Sequence, residues 1–210
     1  IVPTLPGRVG NEATPDKVSL DLYRDTVLKA ISGDKSPVVL VGHSFGGIVI
    51  SEVAEAKPSD VRALVYLAAY LPKDGDSLLS LATGDKDAKI GPHLKIDKEH
   101  GIASVEQDAR ADLFANDGSD KLRQVIPGLI LDEPLGPLAT PVKLSPAAFG
   151  KVPKYYIHTA RDQVVSPWLQ DAMIAVTPVR TQVKLDTGHT PFLTDVVGVV
   201  HAIEQAASPK

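Results

Sequence analysis

Residues 37–47 constrain the fold more strongly than any other part of the chain. Residues 37–41 read Pro-Val-Val-Leu-Val, a continuous apolar run that is typical of a strand covered on both faces. The hexapeptide Gly-His-Ser-Phe-Gly-Gly follows at residues 42–47, and a helical pattern extends from Phe45 to Lys57. A serine between such a strand and helix stands on a sharp turn whose neighbours at two positions on either side must be small. The pattern predicts a nucleophile at Ser44, with Gly42 and Gly46 making room for the turn.

The rest of the chain alternates short β-branched runs with helical patterns. This alternation predicts an α/β fold with a mostly parallel sheet and helices on both faces. Ser19 is predicted to cap a helix that ends at Gly33, and Ser166 to cap a helix that runs to Val176. The remaining predicted elements are strands at Ile1–Thr4, Val61–Ala69, Pro153–Thr159 and Gln182–Asp186 and a last helix at Thr194–Ala207.

The pattern changes between residues 72 and 150. Glycine, proline and aspartate are frequent there and the helical segments are short, while residues 95–97 and 102–105 flank a Glu-His-Gly turn like a small hairpin. This stretch is too long for a loop and too irregular for another βαβ unit. It is therefore predicted to be a lid inserted into a core made of residues 1–71 and 151–210.

Composition excludes several classes of function. The net charge of −4 comes from 22 basic and 26 acidic residues that are interspersed, so no basic stripe is present to bind nucleic acid. The absence of cysteine excludes disulfides, cysteine-ligated metals and thiol catalysis. No apolar run approaches the ~20 residues that span a bilayer. We expect one cytoplasmic domain that binds neither nucleic acid nor membrane and that is compatible with a homodimer.

A serine hydroxyl is a weak nucleophile unless a base and an orienting acid support it. Asp162 follows the strand predicted at 153–159, and His189 follows the strand predicted at 182–186. Both therefore fall at the carboxyl ends of strands, where the sites of open α/β sheets form. The sequence predicts that His189 is the general base and Asp162 its orienting acid. The backbone N–H of Phe45, at a helix N-terminus, is predicted to donate to an oxyanion.

Other residues compete for these two roles. Asp186 is too close in sequence to His189 to reach its far nitrogen easily, Asp132 lies in the predicted lid, and Asp74 and Asp76 remain weaker candidates for a displaced acid. The other histidines are His43, which is expected to point away from the site, His93 and His100 in the predicted lid, His158 in a strand and His201 in the last helix.

Four segments of the chain carry a resemblance to a known family: residues 38–47, the strand at 63–69 leading into Leu71-Pro72, the Asp162 loop, and residues 188–192. Together they resemble the α/β-hydrolase superfamily, and within it the esterase and hydroxynitrile-lyase branch that includes plant methyl-ester hydrolases and small bacterial esterases. The resemblance implies the α/β-hydrolase fold and the same roles for Ser44, His189 and Asp162. It also implies a second oxyanion donor from a loop after an earlier strand.

That earlier strand is not found in this sequence. Members of the family begin with a strand that ends in a His-Gly type turn, followed by a helix, before a segment like residues 1–7. This chain starts with Ile1 at the later point. We expect the second donor to lie upstream of residue 1, and the absent strand to be an interior one that lies beside the strand leading to Ser44.

The expected reaction is hydrolysis of a small or medium carboxylic ester, without a metal or an organic cofactor. Leu71, Leu78, Phe114 and Thr190 are predicted to contact the substrate, although the leucines of the lid could equally pack against the core. A hydroxynitrile lyase or a carbon–carbon bond hydrolase could use the same three residues, as could a hydrolase-like ligand receptor. In lyases of one subtype a lysine directly follows the catalytic histidine. Thr190 stands at that position here and favours the esterase.

Overall fold

The computed structural model describes residues 1–208 and confirms the predicted α/β fold class. The strands are β1 Val38–His43, β2 Val61–Leu67, β3 Leu94–Asp97, β4 Ile102–Val105, β5 Glu133–Pro134, β6 Lys154–Thr159 and β7 Thr181–Leu185. The α-helices are α1 Leu20–Ile31, α2 Gly46–Ala56, α3 Leu78–Gly84, α4 Arg110–Phe114, α5 Asp120–Leu129, α6 Leu135–Ala139, α7 Pro167–Val176, α8 Pro191–Thr194 and α9 Val196–Ala207. Among residues 1–208, no helix has both the length and the apolar character needed to cross a bilayer.

The main sheet brings the loops of the site to one edge. Its strands lie in the order β1-β2-β6-β7, and every neighbouring pair is parallel. Tyr66, near the C-terminal end of β2, is paired with Gly42 of β1 and with Tyr156 of β6. Because the strands are parallel, the segments that follow β1, β2, β6 and β7 all leave at the same edge, where ligand sites of such sheets form.

The apolar run of β2 is explained by burial on both faces. Leu64 and Tyr66 belong to the cluster that contains α1 and α2, whereas Ala63, Val65 and Leu67 belong to the cluster that contains α9. Successive side chains of a strand point to opposite faces, so this alternation places helices on both sides of the sheet. Full burial of one such large apolar side chain contributes roughly 1.5–3 kcal/mol.

One predicted strand and two predicted boundaries were wrong. Residues 1–4 form no strand, and Ile1 and Val2 are each 95% exposed. A strand needs a partner for its backbone groups, and β1 pairs only with β2 within the described residues. The strand predicted at 61–69 ends at Leu67, because Ala68 adopts a left-handed conformation with φ 47°. The last helix is interrupted at Asp195, whose side chain accepts a hydrogen bond from Gly198 N.

The segment between β2 and β6 packs over the loops that follow β6 and β7. It contains the predicted hairpin as β3 and β4, which pair antiparallel with each other and with β5. Lys89 N donates to Gln163 O at 2.8 Å, and Thr190 Oγ1 donates to Phe114 O at 2.6 Å. These bonds join the segment to the loops that carry Asp162 and His189. The division of the chain into a lid at 72–150 and a core stays a prediction.

The carboxylate of Glu55 helps to hold the end of this segment to the core. Glu55, on α2, accepts hydrogen bonds from Ser145 N at 2.8 Å, Ser145 Oγ at 2.7 Å and Phe149 N at 3.1 Å. Burial raises the pKa of Glu55, but the hydrogen bonds from Ser145 and Phe149 outweigh burial and hold the pKa below its ordinary value. The ionised form is therefore the form that the fold favours.

We expect Glu55→Ala to lower the free energy of unfolding by about 1–3 kcal/mol at neutral pH, because three donors lose their acceptor. Glu204→Ala, at an exposed position on α9, is the matched control and should change it by less than about 0.5 kcal/mol. Because folding lowers the pKa of Glu55, its ionised carboxylate stabilises the folded state fully at pH values above the pKa of the unfolded state. This stabilisation is lost as the pH falls through the pKa of the folded state. Urea titrations should therefore show the wild-type advantage shrinking in acid. The role of Glu55 is contradicted if both variants lose the same free energy of unfolding, or if the difference between wild type and Glu55→Ala grows in acid.

Candidate active site

The backbone at Ser44 is in a strained conformation. Its φ of 52° lies in the left-handed region, which costs an L-residue roughly 1–2 kcal/mol. Three backbone hydrogen bonds hold it there. Ser44 N donates to Leu67 O at 3.3 Å, and Ser44 O accepts from Gly47 N and Tyr70 N, each at 3.1 Å. The turn between β1 and α2 is thus fixed by the turn that follows β2, and it presents Ser44 at the shared edge of the sheet.

Glycine is required on both sides of this turn, but not at both predicted positions. A Cβ on Gly42 would lie 2.5 Å from Gly46 O, and a Cβ on Gly47 would collide with Tyr70 O. A Cβ on Gly46 would meet no atom within 4 Å, because Gly46 faces a cavity. The close contact expected at Gly46 is instead found at Gly47.

Asp162 and His189 form a buried hydrogen-bonded pair in the loops after β6 and β7. His189 Nδ1 lies 2.9 Å from Asp162 Oδ2 and 3.1 Å from Oδ1, and both side chains are almost fully buried. The carboxylate accepts, so Nδ1 carries the proton and Nε2 of the neutral ring is left with a free lone pair. Nε2 is buried and has no hydrogen-bond partner among residues 1–208. Ser44 Oγ makes no hydrogen bond to it in the described residues, and such contacts commonly close only when substrate binds.

The environment of Asp162 keeps its carboxylate ionised. Asp162 also accepts hydrogen bonds from Val164 N at 2.8 Å, Val165 N at 3.0 Å and Thr159 Oγ1 at 2.8 Å. Burial raises its pKa, but the neighbouring His189 and these donors outweigh burial and hold the pKa below its ordinary value. An ionised carboxylate can both orient His189 and stabilise its imidazolium form.

The competing acids and histidines lie elsewhere. Each competing aspartate has another partner. Asp186 is exposed and pairs with Arg161, and Asp132 lies 3.5 Å from Arg110. Asp74 accepts a hydrogen bond from Leu144 N, and Asp76 forms an ion pair with Lys73. His93 contacts Glu106, His100 contacts Asp97, His158 contacts Gln182, and His201 is exposed on α9. Among the described residues, the carboxylate that contacts His189 is that of Asp162.

His43 has a role that the sequence did not reveal. Its Nε2 lies 2.7 Å from His189 O, and a carbonyl can only accept, so Nε2–H is the donor. Its ring centroid is 4.7 Å from that of His189 and 4.9 Å from that of Phe192. Burial, followed by the proximity of His189, lowers the pKa of His43 to about 3, so the ring is neutral. The prediction that His43 points away from the site was therefore wrong, because His43 binds the backbone of His189.

A cavity of about 570 Å³ adjoins Ser44 and His43 and extends beneath the segment between β2 and β6. Two of the predicted substrate contacts, Leu78 and Phe114, line it. Leu71 does not, because its side chain is 1% exposed and packs into the core, and Thr190 does not, because its hydroxyl binds Phe114 O. Lining residues that the sequence did not single out include Arg8, Tyr23, Ile90, Leu94 and Glu133.

The remaining predicted donors and ligands can be placed only in part. Phe45 precedes α2 directly, and the first backbone N–H groups of a helix have no partner within the helix. The second donor was expected upstream of residue 1, outside the described residues, and stays a prediction. Within residues 1–208, no group of three histidine or acidic side chains is arranged to hold a metal ion.

The two glycines give a matched pair of variants. We expect Gly42→Ala to lower the free energy of unfolding by about 1–3 kcal/mol, because the added methyl group overlaps the backbone of Gly46. Gly46→Ala should stay within about 0.5 kcal/mol of wild type, because its methyl group enters open space. Thermal unfolding followed by circular dichroism measures both. A Gly42→Ala protein as stable as Gly46→Ala contradicts the packing described for this turn.

Replacing His43 tests whether it positions His189. Removing the donor frees the backbone that carries His189, and a small misplacement of a reacting group can cost about 10²-fold, so His43→Phe should lower kcat by roughly tenfold to a hundredfold with little change in KM. His43→Gln keeps a donor and should recover much of the loss. Because His43 is neutral above pH 5, neither variant should move the pH–rate profile there. Wild-type kcat in His43→Phe, or no rescue by glutamine, contradicts a positioning role.

The chain is similar in sequence to a plant protein and a bacterial protein whose names describe esterases. It is 31% identical over 179 residues to the Arabidopsis thaliana protein "Putative methylesterase 11, chloroplastic", a match that covers 81% of this chain and 45% of the relative. It is 42% identical over 84 residues to a carbendazim hydrolyzing esterase of Nocardioides sp. (strain SG-4G), covering 39% of this chain and 34% of the relative. The chain thus spans less than half the length of these two relatives.

Solved structures share the fold at lower identity. A pyrethroid hydrolase from Sphingobium faniae JZ-2 superimposes with a TM-score of 0.82 at 22% identity, over 95% of this chain and 82% of that one. Polyneuridine aldehyde esterase superimposes with a TM-score of 0.81 at 17% identity, over 92% and 82% of the two chains. The model of the alpha/beta hydrolase family matches residues 1–202. The expected resemblance is thereby confirmed, and the chain belongs to the alpha/beta hydrolase family.

Proposed function

We propose that this protein hydrolyses a small or medium carboxylic ester through an acyl-enzyme on Ser44. The observation that carries the proposal is the buried Asp162–His189 pair. It leaves His189 Nε2 unpartnered among residues 1–208, at the sheet edge where the strained turn presents Ser44. A buried imidazole that is oriented by a carboxylate and keeps one free nitrogen is the base that a serine nucleophile needs.

The reaction has two matched halves. Ser44 Oγ attacks the ester carbonyl while His189 Nε2 takes its proton, and the Phe45 N–H donates to the oxyanion that forms. The intermediate collapses, the C–O bond to the alcohol breaks, and His189 returns the proton to the departing alkoxide. Water then attacks the acyl-enzyme with the same help from His189, and the acid and free Ser44 are released. Asp162 stays ionised and stabilises the imidazolium of His189 in both halves.

Two further observations support an ester of modest size. A volume of about 570 Å³ falls within the ~300–1,000 Å³ range of small-molecule pockets. The relatives are named a methylesterase and an esterase, which favours a substrate whose alcohol part is small. The lyase, the carbon–carbon bond hydrolase and the ligand receptor are outcomes of the test below, because no observation in the structure favours them.

Kinetics on short-chain p-nitrophenyl esters test the proposal. We expect Ser44→Ala to abolish hydrolysis. Asp162→Asn should lower kcat by about 10³–10⁴, because the amide favours the wrong tautomer of His189. Asp186→Asn removes a nearby carboxylate that does not contact His189, and as the matched control it should stay within about twofold of wild type.

Three results would overturn the assignment. Unchanged turnover in Ser44→Ala excludes the acyl-enzyme on this serine. Faster release of cyanide from mandelonitrile than of nitrophenol from any ester identifies a lyase. Tight binding of ester analogues by a folded wild-type protein that turns none of them over identifies a receptor.

A further inference from the structure

The cavity beside Ser44 is mostly apolar, but it contains a charged pair that the proposed reaction does not use. Arg8, in the loop before α1, and Glu133, in β5, both line the cavity and form an ion pair with 2.5 Å between Nη2 and Oε1. Arg8 Nη1 also donates to Asp132 O at 2.9 Å. The side chains of Arg8 and Glu133 are 20% and 37% exposed, so the pair faces the cavity and is not sealed in the core.

Tyr23, on α1, is the third member of this group. Tyr23 also lines the cavity and is 1% exposed, and its hydroxyl has no hydrogen-bond partner among residues 1–208. Its ring centroid lies 6.0 Å from that of Phe45, the residue directly after Ser44. A buried hydroxyl without a partner destabilises the folded protein, and phenylalanine at this position would not incur that cost. The hydroxyl therefore lacks a structural explanation within the described residues, whereas a ligand in the cavity would give it a partner.

Charges around Tyr23 define what that ligand can be. Burial, followed by the negative charge of Glu133, raises the pKa of Tyr23 to about 12, so the hydroxyl keeps its proton and can donate. Arg8 balances the charge of Glu133. A ligand carboxylate would face Glu133 and a ligand ammonium would face Arg8, and each would bring an unmatched charge into a mostly apolar cavity.

We propose that Arg8, Tyr23 and Glu133 form a polar recognition site for an uncharged hydrogen-bonding group, such as a hydroxyl, on the acyl part of the substrate. The ligand group accepts a hydrogen bond from the Tyr23 hydroxyl and donates one to Glu133. The inference rests on the proposed function for the identity of the ligand as an ester. It adds that the preferred ester carries a neutral polar group away from the bond that is cleaved.

Matched pairs of p-nitrophenyl esters test the site. ω-Hydroxyalkanoates of increasing chain length are compared with the alkanoates in which a methyl group replaces the hydroxyl, so that size stays constant. For each chain length, the kcat/KM of the hydroxyl ester is divided by the kcat/KM of the matched methyl ester. In wild type this ratio should be highest at one chain length. Tyr23→Phe should lower that maximum about tenfold, the effect of one hydrogen bond of about 1.4 kcal/mol. Tyr155→Phe, on β6 and outside this cavity, is the matched control and should leave the ratio unchanged.

Charge provides a second, independent comparison. Glu133→Gln leaves Arg8 without its counter-charge, so the variant should gain about tenfold in kcat/KM for a dicarboxylic half-ester relative to the alkanoate of the same length. Wild type should discriminate against this half-ester. A ratio that does not change in Tyr23→Phe, together with no gain in Glu133→Gln, overturns the site while hydrolysis that depends on Ser44 continues.

A binding measurement keeps the two proposals separable. Calorimetry on Ser44→Ala with ω-hydroxyalkanamides and the matched alkanamides reports recognition without turnover. Tighter binding of the hydroxyl compound, lost in Ser44→Ala/Tyr23→Phe, supports the site even where ester hydrolysis fails. Equal binding of both compounds overturns it. Thermal unfolding of Tyr23→Phe adds a check on fold, because removing an unpartnered hydroxyl should not lower Tm, and a marked decrease would assign the hydroxyl a structural role instead.

Discussion

The left-handed backbone at Ser44 requires support from several parts of the fold at once. Its carbonyl accepts from Gly47 N and Tyr70 N, and its N–H donates to Leu67 O, so the turn after β1 is built on the turn after β2. Gly42 has no room for a side chain because it packs against the backbone of Gly46 in its own turn, and Gly47 has none because it packs against Tyr70 O in the turn after β2. Strain of this kind persists only where the surroundings over-determine it. At Ser44 the surrounding hydrogen bonds hold the strained backbone at the edge of the sheet where the other loops of the candidate site also lie.

Two histidines at this edge of the sheet differ in their electrostatic environment. His43 is the last residue of β1, has a pKa lowered to about 3, and donates from Nε2 to the backbone of His189. His189 donates from Nδ1 to an ionised Asp162 and keeps Nε2 unpartnered within residues 1–208. In the proposed reaction, a neutral His43 adds no positive charge when His189 gains its proton, so His43 can position His189 without opposing that protonation. Asp162 supplies the charge that stabilises that protonated form.

Much of this arrangement could be predicted from the sequence, because the signals are local. β1 and β2 are apolar on both faces, and a Gly-x-Ser-x-Gly turn after β1 predicts both the strand end and the helix start. The misses arise from tertiary contacts. Ala68 ends β2 through a backbone conformation that alanine does not signal, and residues 1–4 lack a partner strand. Leu71 points into the core and not into the cavity, which periodicity could not decide in an irregular segment. Arg8, Tyr23 and Glu133 come from three distant segments and share no spacing.

Covalent labelling reports whether Ser44 is an activated nucleophile. A fluorophosphonate reacts with a serine whose hydroxyl is deprotonated by a neighbouring base, and not with ordinary surface serines. Intact mass followed by peptide mapping should show one adduct, on Ser44, that is absent from Ser44→Ala and forms far more slowly in Asp162→Asn. A folded protein that takes up no label, or takes it up at another residue, would contradict the account.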